Sequence, residues 1–335
     1  MKDKKTVFVL GAGASCPYGY PSGAQLRKQI CFDFNNTYPQ SLKTLAEDKL
    51  SLINGFIHKF CNSHTQSIDL FMARNRKLAP TGKCIIALEI FKAEQRSLFG
   101  ERAKLTQEWY SRPRSEPRAK DFVQKGYFQG DDWYSYLFNR LTAGLTRPDI
   151  LPDFSNNKIS FITFNYDRSL EHFFYESIRN SFTEVPEDNI VQTISQLKIL
   201  HVYGQVMPLK WQDSNEGVDY KLEQISELLL QKAASNIKTI YEQRESPEVD
   251  EAQRLLSNAE RIFFLGFGYA EENLEILKLP DRTKKASWIY GTAYGQEARE
   301  ISDNRNKIIE WLPAKLSDRV IIENMDCLKL LRNHL

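Results

Sequence analysis

The sequence predicts an α/β protein with a doubly wound, Rossmann-like parallel sheet that carries a large helical insertion. Short apolar runs alternate with helical intervals in the second half of the chain, which is typical of a parallel sheet covered on both faces. A glycine turn follows the first apolar run directly, as it does where such a sheet binds a nucleotide. Between these two regions the apolar residues recur mainly at helical spacing, which predicts the insertion.

The first strand is predicted at residues 6–10, and it is expected to join a sheet formed by the second half of the chain. Later strands are predicted at 159–163, 197–200, 261–265 and 287–290, with 319–322 as a last candidate. Helices are predicted at 24–34, 42–60, 82–98, 131–145, 168–179, 220–243, 271–277 and 296–311. Residues 1–35 and 151–335 therefore form the predicted Rossmann-like core, and residues 36–150 form a mainly helical insertion or small domain.

Composition bounds the size and the partners of the chain. Its 335 residues suffice for one large or two modest domains, at ~150 residues per domain. The 45 basic and 43 acidic residues nearly balance, so no global surface for a polyanion is expected. The basic, proline-containing stretch at 112–120 is predicted as an exposed loop, and direct nucleic-acid binding is not expected.

Apolar runs and cysteines indicate the compartment. No run approaches the ~20 residues that span a bilayer, so the chain is expected to be soluble, unexported and cytoplasmic. The cysteines are scattered without a C-x-x-C pair: Cys16, Cys31, Cys61, Cys84 and Cys327. Neither a disulfide framework nor a zinc site is therefore expected, and no metal is predicted.

The first motif is the turn Gly11–Ser15 after the first predicted strand. Glycines at the carboxyl end of a strand let backbone N–H groups approach a phosphate, and the start of the next helix favours negative charge. The turn therefore predicts a nucleotide diphosphate. It departs from the dinucleotide fingerprint G-x-G-x-x-G, because Cys16 stands where the third glycine is needed and Pro17 follows it, so the turn does not favour hydride transfer.

Polar or glycine residues follow the other predicted strands, at the edge of the sheet where ligands bind. They are Asn165, Asp167, His201, Gly266, Gly268, Gly291 and Thr292. Each also has a structural explanation: the first two can cap a helix, the histidine can be a hydrogen-bonded residue at a strand end, and the glycines can serve packing. Their equivalent positions nevertheless favour a shared ligand cleft.

The ordered series of these motifs resembles the sirtuin (SIR2) superfamily, more closely its SIR2-like branch of bacterial defence proteins than the protein deacylases. The series is Gly11–Ser15, Thr163-Phe-Asn-Tyr-Asp-Arg-Ser-Leu-Glu171, His201-Val-Tyr-Gly204 and Phe264-Leu-Gly-Phe-Gly268, and it spans nearly the whole chain. The resemblance implies hydrolysis of NAD⁺, as substrate, to nicotinamide and ADP-ribose, triggered during phage infection to arrest the host.

The same resemblance assigns the cofactor-binding residues. The pyrophosphate loop matches Gly11, Ala12, Gly13, Ala14 and Ser15. Pro21 and Ser22 match positions near the nicotinamide end, and Asp167 matches the acid of the nicotinamide pocket. Gly266 and Gly268 match the loop that holds the adenosine ribose, with Gly291-Thr292 at the adenine edge.

Two residues are assigned to catalysis by the resemblance. Asn165 matches the asparagine beside the nicotinamide ribose that positions water, and His201 matches the histidine that contacts the ribose hydroxyls as a base. A neutral imidazole near pH 7 suits that task. Asp69, in the segment 67–71, is a further candidate to face the cleft because similar segments occur in the branch; capping a helix is the alternative, and it stays outside the predicted catalytic set.

Three features depart from the deacylases. The chain lacks their four-cysteine zinc module, the insertion at 36–150 has no counterpart in their small domain, and Val202 and Tyr203 separate the histidine from Gly204. The alternatives left open are a deacylase or ADP-ribosyltransferase, a non-catalytic sensor of NAD⁺ or ADP-ribose, and a Rossmann dehydrogenase.

Restraint of such an enzyme is expected to come from outside this chain. In related systems the trigger is a HerA-type ATPase, a short Argonaute or a nucleotide-binding protein, so a partner chain, a homo-oligomer or both are predicted. The aromatic pairs Trp109-Tyr110 and Trp133-Tyr134 are candidate contact surfaces, although core packing is the stronger expectation for Trp133.

Overall fold

A six-stranded sheet in which every neighbouring pair is parallel lies at the centre of the computed structural model. The structure describes residues 4–33, 47–97, 99, 131–147, 149–154, 158–243, 246–277, 288–310, 312 and 314–335. The strands are β1 (Thr6–Leu10), β2 (Ile159–Thr163), β3 (Lys198–His201), β4 (Arg261–Leu265), β5 (Trp288–Thr292) and β6 (Val320–Glu323). The predicted α/β parallel fold is thus confirmed.

Helices flank this sheet. They are α1 (Gly23–Lys28), α2 (Glu47–Asn62), α3 (Ile68–Arg74), α4 (Ala79–Arg96), α5 (Trp133–Thr142), α6 (Ser169–Ser181), α7 (Glu187–Ser195), α8 (Glu227–Asn236), α9 (Pro247–Ser257), α10 (Glu271–Leu277), α11 (Ala298–Glu310) and α12 (Cys327–His334). Elements α2 to α5 all fall within the predicted insertion between β1 and β2. None of the described helices is long and apolar enough to cross a membrane.

The strand order, β3-β2-β1-β4-β5-β6, is that of a doubly wound Rossmann-type sheet. The chain builds outward from β1 to β3 on one side and then returns to β4 on the other side of β1. A crevice opens beyond the carboxyl ends of the strands where the order reverses, between β1 and β4. The two glycine-containing loops predicted from the sequence, at 11–15 and 266–268, follow these two strands.

A row of aromatic rings fixes the register of the inner strands. Phe8 pairs with Phe161 of β2 and Phe263 of β4, with ring centroids 5.2 and 5.4 Å away. Tyr290 of β5 continues the row at 4.9 Å from Phe263. Because a slip of one residue would turn this row to the opposite face, packing holds the strand ends level. The residues after β1, β2 and β4 therefore emerge at one edge.

Helix boundaries differ from the predicted ones where capping and distant contacts decide them. The helix predicted at 220–243 is confined to α8, because Ser226 caps its start by accepting from Leu229 N–H. Its end is set by Ile237, which adopts an extended conformation, and by Lys238, whose N–H donates to the Tyr203 carbonyl. Helices α3, α7, α9 and α12 were not predicted.

One cysteine pair is joined. Cys31, in the turn after α1, forms a disulfide with Cys61 near the end of α2, with a Cα–Cα distance of 5.6 Å. Cysteine spacing gave no indication of this bond, because their approach depends on how the turn packs against α2. The described residues contain no group of three or more His, Cys, Asp or Glu side chains that could hold a metal ion.

Candidate active site

A cleft of about 1530 Å³ opens at the reversal point of the sheet. Most of the residues predicted to bind the ligand line it: Gly11, Ala12, Gly13, Pro21, Ser22, Asn165, Asp167, Gly266 and Gly268. Its volume exceeds the ~300–1,000 Å³ of typical small-molecule sites. Three predicted site residues, Ala14, Ser15 and His201, are not part of the lining and lie behind it.

The glycines of the two loops are required by contact between the loops. A Cβ on Gly11 would lie 2.5 Å from the Gly266 carbonyl oxygen, and one on Gly266 would lie 2.0 Å from the Ala14 nitrogen. Gly266 also has a left-handed φ of 55°. Gly268 differs, because nothing lies within 4 Å of a Cβ built there. It therefore leaves open space in the cleft wall.

Backbone amides of the first loop are mostly occupied, which corrects the predicted phosphate cradle. The N–H groups of Gly11 and Gly13 donate to the carbonyls of Leu265, at the end of β4, and Gly266, and those of Ala14 and Ser15 donate within a 3₁₀ turn. Within the described residues, the Ala12 amide is the loop donor without a protein acceptor. Contact with β4 and its loop, together with the turn itself, thus occupies most of the donors that the glycine pattern predicts for a phosphate.

Ser22 has a local structural role as well as a place in the lining. Its hydroxyl accepts from Gln25 N–H while the Gln25 side chain accepts from Ser22 N–H, which forms a capping box at α1. The capping box therefore supplies a side-chain acceptor to a backbone N–H group at the start of this six-residue helix.

Arg27, Lys329 and Arg332 bring positive charge to the cleft wall.

Asn165 is held with one side of its amide toward the protein and the other toward the cleft. Nδ2 donates to the Gly11 carbonyl and to Ser15 Oγ, both at 3.0 Å. Because the Gly11 carbonyl can only accept, the amide cannot be flipped. No donor to Oδ1 is found among the described residues, and Asn165 lines the cleft. The carbonyl oxygen is thus preorganised to meet a ligand or water.

Ser15 and Asp167 support this amide from behind. Asp167 Oδ1 accepts from the backbone N–H and the hydroxyl of Ser169 at the start of α6, and Ser15 also hydrogen-bonds this carboxyl. Burial raises the pKa of Asp167, and these hydrogen bonds oppose that rise. Asp167 therefore accepts the first N–H of α6 from the position before the N-cap residue Arg168, which is close to the structural explanation expected from the sequence. Ser15 contributes to the site through Asn165.

His201 is engaged on both ring nitrogens. Nδ1 lies 2.9 Å from the Asn165 backbone carbonyl, and Nε2 lies 2.6 Å from Glu171 Oε1. Burial disfavours the cation, but the Glu171 carboxylate and the hydrogen bonds outweigh it and raise the pKa of His201 above its ordinary value. The ring therefore holds the Asn165 backbone, and this arrangement does not favour the role as a neutral base on ribose hydroxyls, which stays a prediction.

This arrangement makes the stability conferred by His201 dependent on pH. Because the pKa is raised on folding, the contribution is complete below the unfolded value of ~6.5 and is lost as pH rises through the folded value. We expect the difference in unfolding free energy between the wild type and His201→Gln to shrink as pH rises above ~6.5. Guanidinium titrations across this range measure it, and a difference independent of pH would contradict the assignment.

Asp69 lies in the cleft wall beside Tyr166. The helix α3 is capped by Ser67, whose hydroxyl accepts from Leu70 N–H, so the cap alternative for Asp69 is wrong. Instead, the Asp69 carboxyl accepts a hydrogen bond from the Tyr166 hydroxyl. Both residues line the cleft. Burial raises the pKa of Asp69, and the Tyr166 hydrogen bond opposes this rise.

Two aromatic residues of α5 brace the first glycine loop. Trp133 is fully buried and its Nε1–H donates to the Ala14 carbonyl at 2.9 Å. Tyr134 is equally buried, with its hydroxyl 2.8 Å from Ser169 Oγ. Neither residue can therefore form the exposed contact surface for a partner that the sequence analysis considered. The other candidate pair, Trp109-Tyr110, and the basic stretch 112–120 lie outside the described residues.

Glu171 is the residue of the site whose role the sequence did not reveal. It falls inside the motif that begins at Thr163, yet its partner His201 is 30 residues away. A carboxylate in the first turn of a helix is locally explained by a favourable contact with the helix dipole.

At the adenine edge, Thr292 lines the cleft and its Oγ1 accepts from Gly266 N–H, while Gly291 is not in the lining.

Comparisons with models of known protein families and with curated proteins find no match for this chain.

Proposed function

We propose that this chain is a SIR2-like NAD⁺ glycohydrolase that cleaves NAD⁺ to nicotinamide and ADP-ribose. The observation that carries the proposal is the Asn165 amide. Its Nδ2 is fixed by Gly11 and Ser15 while its Oδ1 is left to the cleft. This amide lies at the reversal point of a Rossmann-type sheet, where dinucleotides bind.

For this cleavage the protein needs mainly to position NAD⁺ and water and to stabilise the charge that develops on the ribose. Nicotinamide departs as a neutral molecule from a cationic pyridinium, and positive charge develops on the ribose as the bond breaks. Oδ1 of Asn165 presents a fixed negative dipole end, which stabilises that charge and orients the attacking water. His201 holds the backbone carbonyl of Asn165, so the catalytic amide is anchored from its side chain and its main chain.

Phosphate binding is assigned to groups other than the full glycine loop. The Ala12 amide and the side chains of Lys329 and Arg332 line the cleft and carry donors and charge that a pyrophosphate needs. Arg27 adds positive charge, while its Nη1 and Nη2 donate to Cys31 Sγ and to the Cys61 carbonyl. Gly268 leaves space for the ribose at the opposite wall. This assignment keeps the predicted ligand while changing which groups hold it.

We further propose that the enzyme acts as the toxic effector of an anti-phage system and is controlled by assembly. Uncontrolled NAD⁺ cleavage would harm the cell that makes the enzyme, so a partner chain or a homo-oligomer is expected to trigger it. Candidate partners are those of the related systems: a HerA-type ATPase, a short Argonaute or a nucleotide-binding protein. A monomer in size-exclusion chromatography with full constitutive activity would contradict this control.

Incubation of the purified chain with NAD⁺, alone and with candidate partners, tests the activity. We expect nicotinamide and ADP-ribose to appear in equal amounts, as measured by chromatography. Added acyl-lysine peptide is expected to leave the rate unchanged, whereas a deacylase would depend on it. Binding of NAD⁺ without turnover under every condition would instead favour the sensor alternative.

A further inference from the structure

Asp69 and Tyr166 form a carboxyl–phenol pair in the wall of the cleft. Tyr166 directly follows Asn165 in the chain, and its hydroxyl donates to the Asp69 carboxyl. The structure gives this carboxyl two donors, the Tyr166 hydroxyl and its own backbone amide. Since an ionised carboxyl has about four lone-pair positions, it retains acceptor capacity toward the cleft.

The other aspartates that line the cleft are committed to helix starts. Asp131 accepts from Cys327 and Leu328 N–H, and Asp326 accepts from Lys329 N–H, both at α12. Similarly, Asp132 accepts from Ser135 N–H at α5 and Asp167 accepts from Ser169 N–H at α6. Protonating any of these carboxyls would weaken a cap. Among the cleft aspartates of the described residues, Asp69 therefore differs in that a phenol hydroxyl of the cleft wall is its side-chain donor, while the cap of its own helix α3 is supplied by Ser67.

The expected base does not reach the cleft. His201 holds the Asn165 carbonyl and Glu171 through its two nitrogens and is outside the lining. Cys16 does line the cleft, but burial raises the pKa of its thiol to about 11, so it stays protonated near neutral pH. A proton released in the cleft therefore needs another acceptor.

We propose that Asp69 is the general base of this reaction and that Tyr166 is its positioning residue; this inference rests on the proposed NAD⁺ cleavage. In the step, the water oxygen bonds to C1′ of the nicotinamide ribose as the bond from C1′ to the pyridinium nitrogen breaks. The electron pair of that bond neutralises the nitrogen, and nicotinamide leaves. The water proton passes to the Asp69 carboxylate and from there to solvent, so the products are ADP-ribose, nicotinamide and one proton.

The surroundings of Asp69 define its expected pH dependence. The titratable groups that face it are Tyr166 and Tyr203, and Glu242 lies close enough to raise the pKa of Tyr166. Burial raises the pKa of both tyrosines, so neither ionises near neutral pH. Within this wall, Asp69 is thus the group that titrates on the acidic side. Activity is expected to fall as Asp69 takes a proton.

Three variants test the inference through kcat and its pH profile. Asp69→Asn is expected to lower kcat by ~100-fold or more and to remove the acidic limb of the profile. In Tyr166→Phe the hydrogen bond that lowers the pKa of Asp69 is lost, so activity is partly retained and the acidic limb moves to higher pH. Tyr203→Phe is the matched control, because its hydroxyl donates to Asn273 Oδ1 and its loss is expected to leave the limb in place.

The outcomes separate this inference from the proposed function. If the wild type cleaves NAD⁺ and Asp69→Asn does so with the same rate and pH profile, Asp69 is not the base and the proposed function stands. A Tyr166→Phe profile that superimposes on the wild type also overturns the inference, and this variant decides if Asp69→Asn does not fold. A wild type that leaves NAD⁺ intact with every candidate partner overturns both proposals.

Discussion

Replacing Asn165 by alanine is expected to lower kcat for NAD⁺ cleavage ~100- to 1,000-fold, the range measured when one preorganised group that faces developing charge is removed. The variant loses the Oδ1 dipole in the cleft. It also leaves the Gly11 carbonyl and Ser15 Oγ without their Nδ2 donor. That second loss is expected to cost about 1–3 kcal/mol of stability, as unsatisfied buried groups do.

Two measurements separate the catalytic loss from the structural one. Asn304→Ala is the matched control, because it removes a similarly buried amide that donates to Gln296 Oε1 and is itself outside the cleft lining. It is expected to lose stability while keeping most of the activity. ADP-ribose binding by Asn165→Ala, followed by calorimetry, reports whether the cleft survives. A folded Asn165→Ala variant with wild-type turnover would show that Oδ1 does not act in the reaction.

The largest expected loss of stability follows from removal of Arg168. This side chain is fully buried and makes two 2.8 Å bonds to the equally buried Glu94 of α4. Its remaining donors meet the carbonyls of Pro208, Val218 and Asp219. The ion pair therefore ties α4, within the predicted insertion, to the loop that carries Asn165. Arg168→Ala is expected to cost about 3–5 kcal/mol, because it leaves a buried charge without a partner.

This loss is expected to depend on pH in a defined direction. Burial raises the pKa of Glu94 to about 7 even with Arg168 beside it, and removing the guanidinium raises it further. The pKa of Glu94 is higher in the folded protein than in the unfolded chain. The folded state is therefore favoured at low pH and loses stability as pH rises from the unfolded value to the folded value of this pKa. The cost of Arg168→Ala, measured by guanidinium unfolding, is therefore expected to be larger at pH ~8 than at pH ~5.

An exposed ion pair supplies the control for this prediction. Arg254 pairs with Glu251 on the surface of α9. Its replacement by alanine is expected to cost less than ~1 kcal/mol, because exposed pairs gain little in water. Equal losses from Arg168→Ala and Arg254→Ala would contradict the role given to the buried pair. Replacing Arg168 and Glu94 together by methionine and leucine is expected to restore part of the lost stability.

The strands were predictable because the apolar pattern of a buried strand is visible in residues that are neighbours along the chain. A strand buried on both faces must be apolar along its whole length, and β1 and β4 are fully buried over the ranges predicted. Glycines and polar residues directly after such strands were therefore placed at one edge of the sheet. Helix ends were less predictable, since the end of α8 depends on a hydrogen bond between Lys238 and Tyr203.

The sequence by itself determined the α/β class, the strands and part of the set of residues that meet at the cleft, because burial patterns and turn residues report on neighbours along the chain. Tertiary structure alone decided which atoms face the cleft. Asn165 is oriented by Gly11, His201 is occupied by Glu171, and Asp69 is joined to Tyr166 across 97 positions. Hydrogen-bond partners this far apart leave no periodicity in the sequence. The histidine predicted as a base is thus bound to protein groups on both ring nitrogens, and a residue left outside the predicted catalytic set is the proposed base.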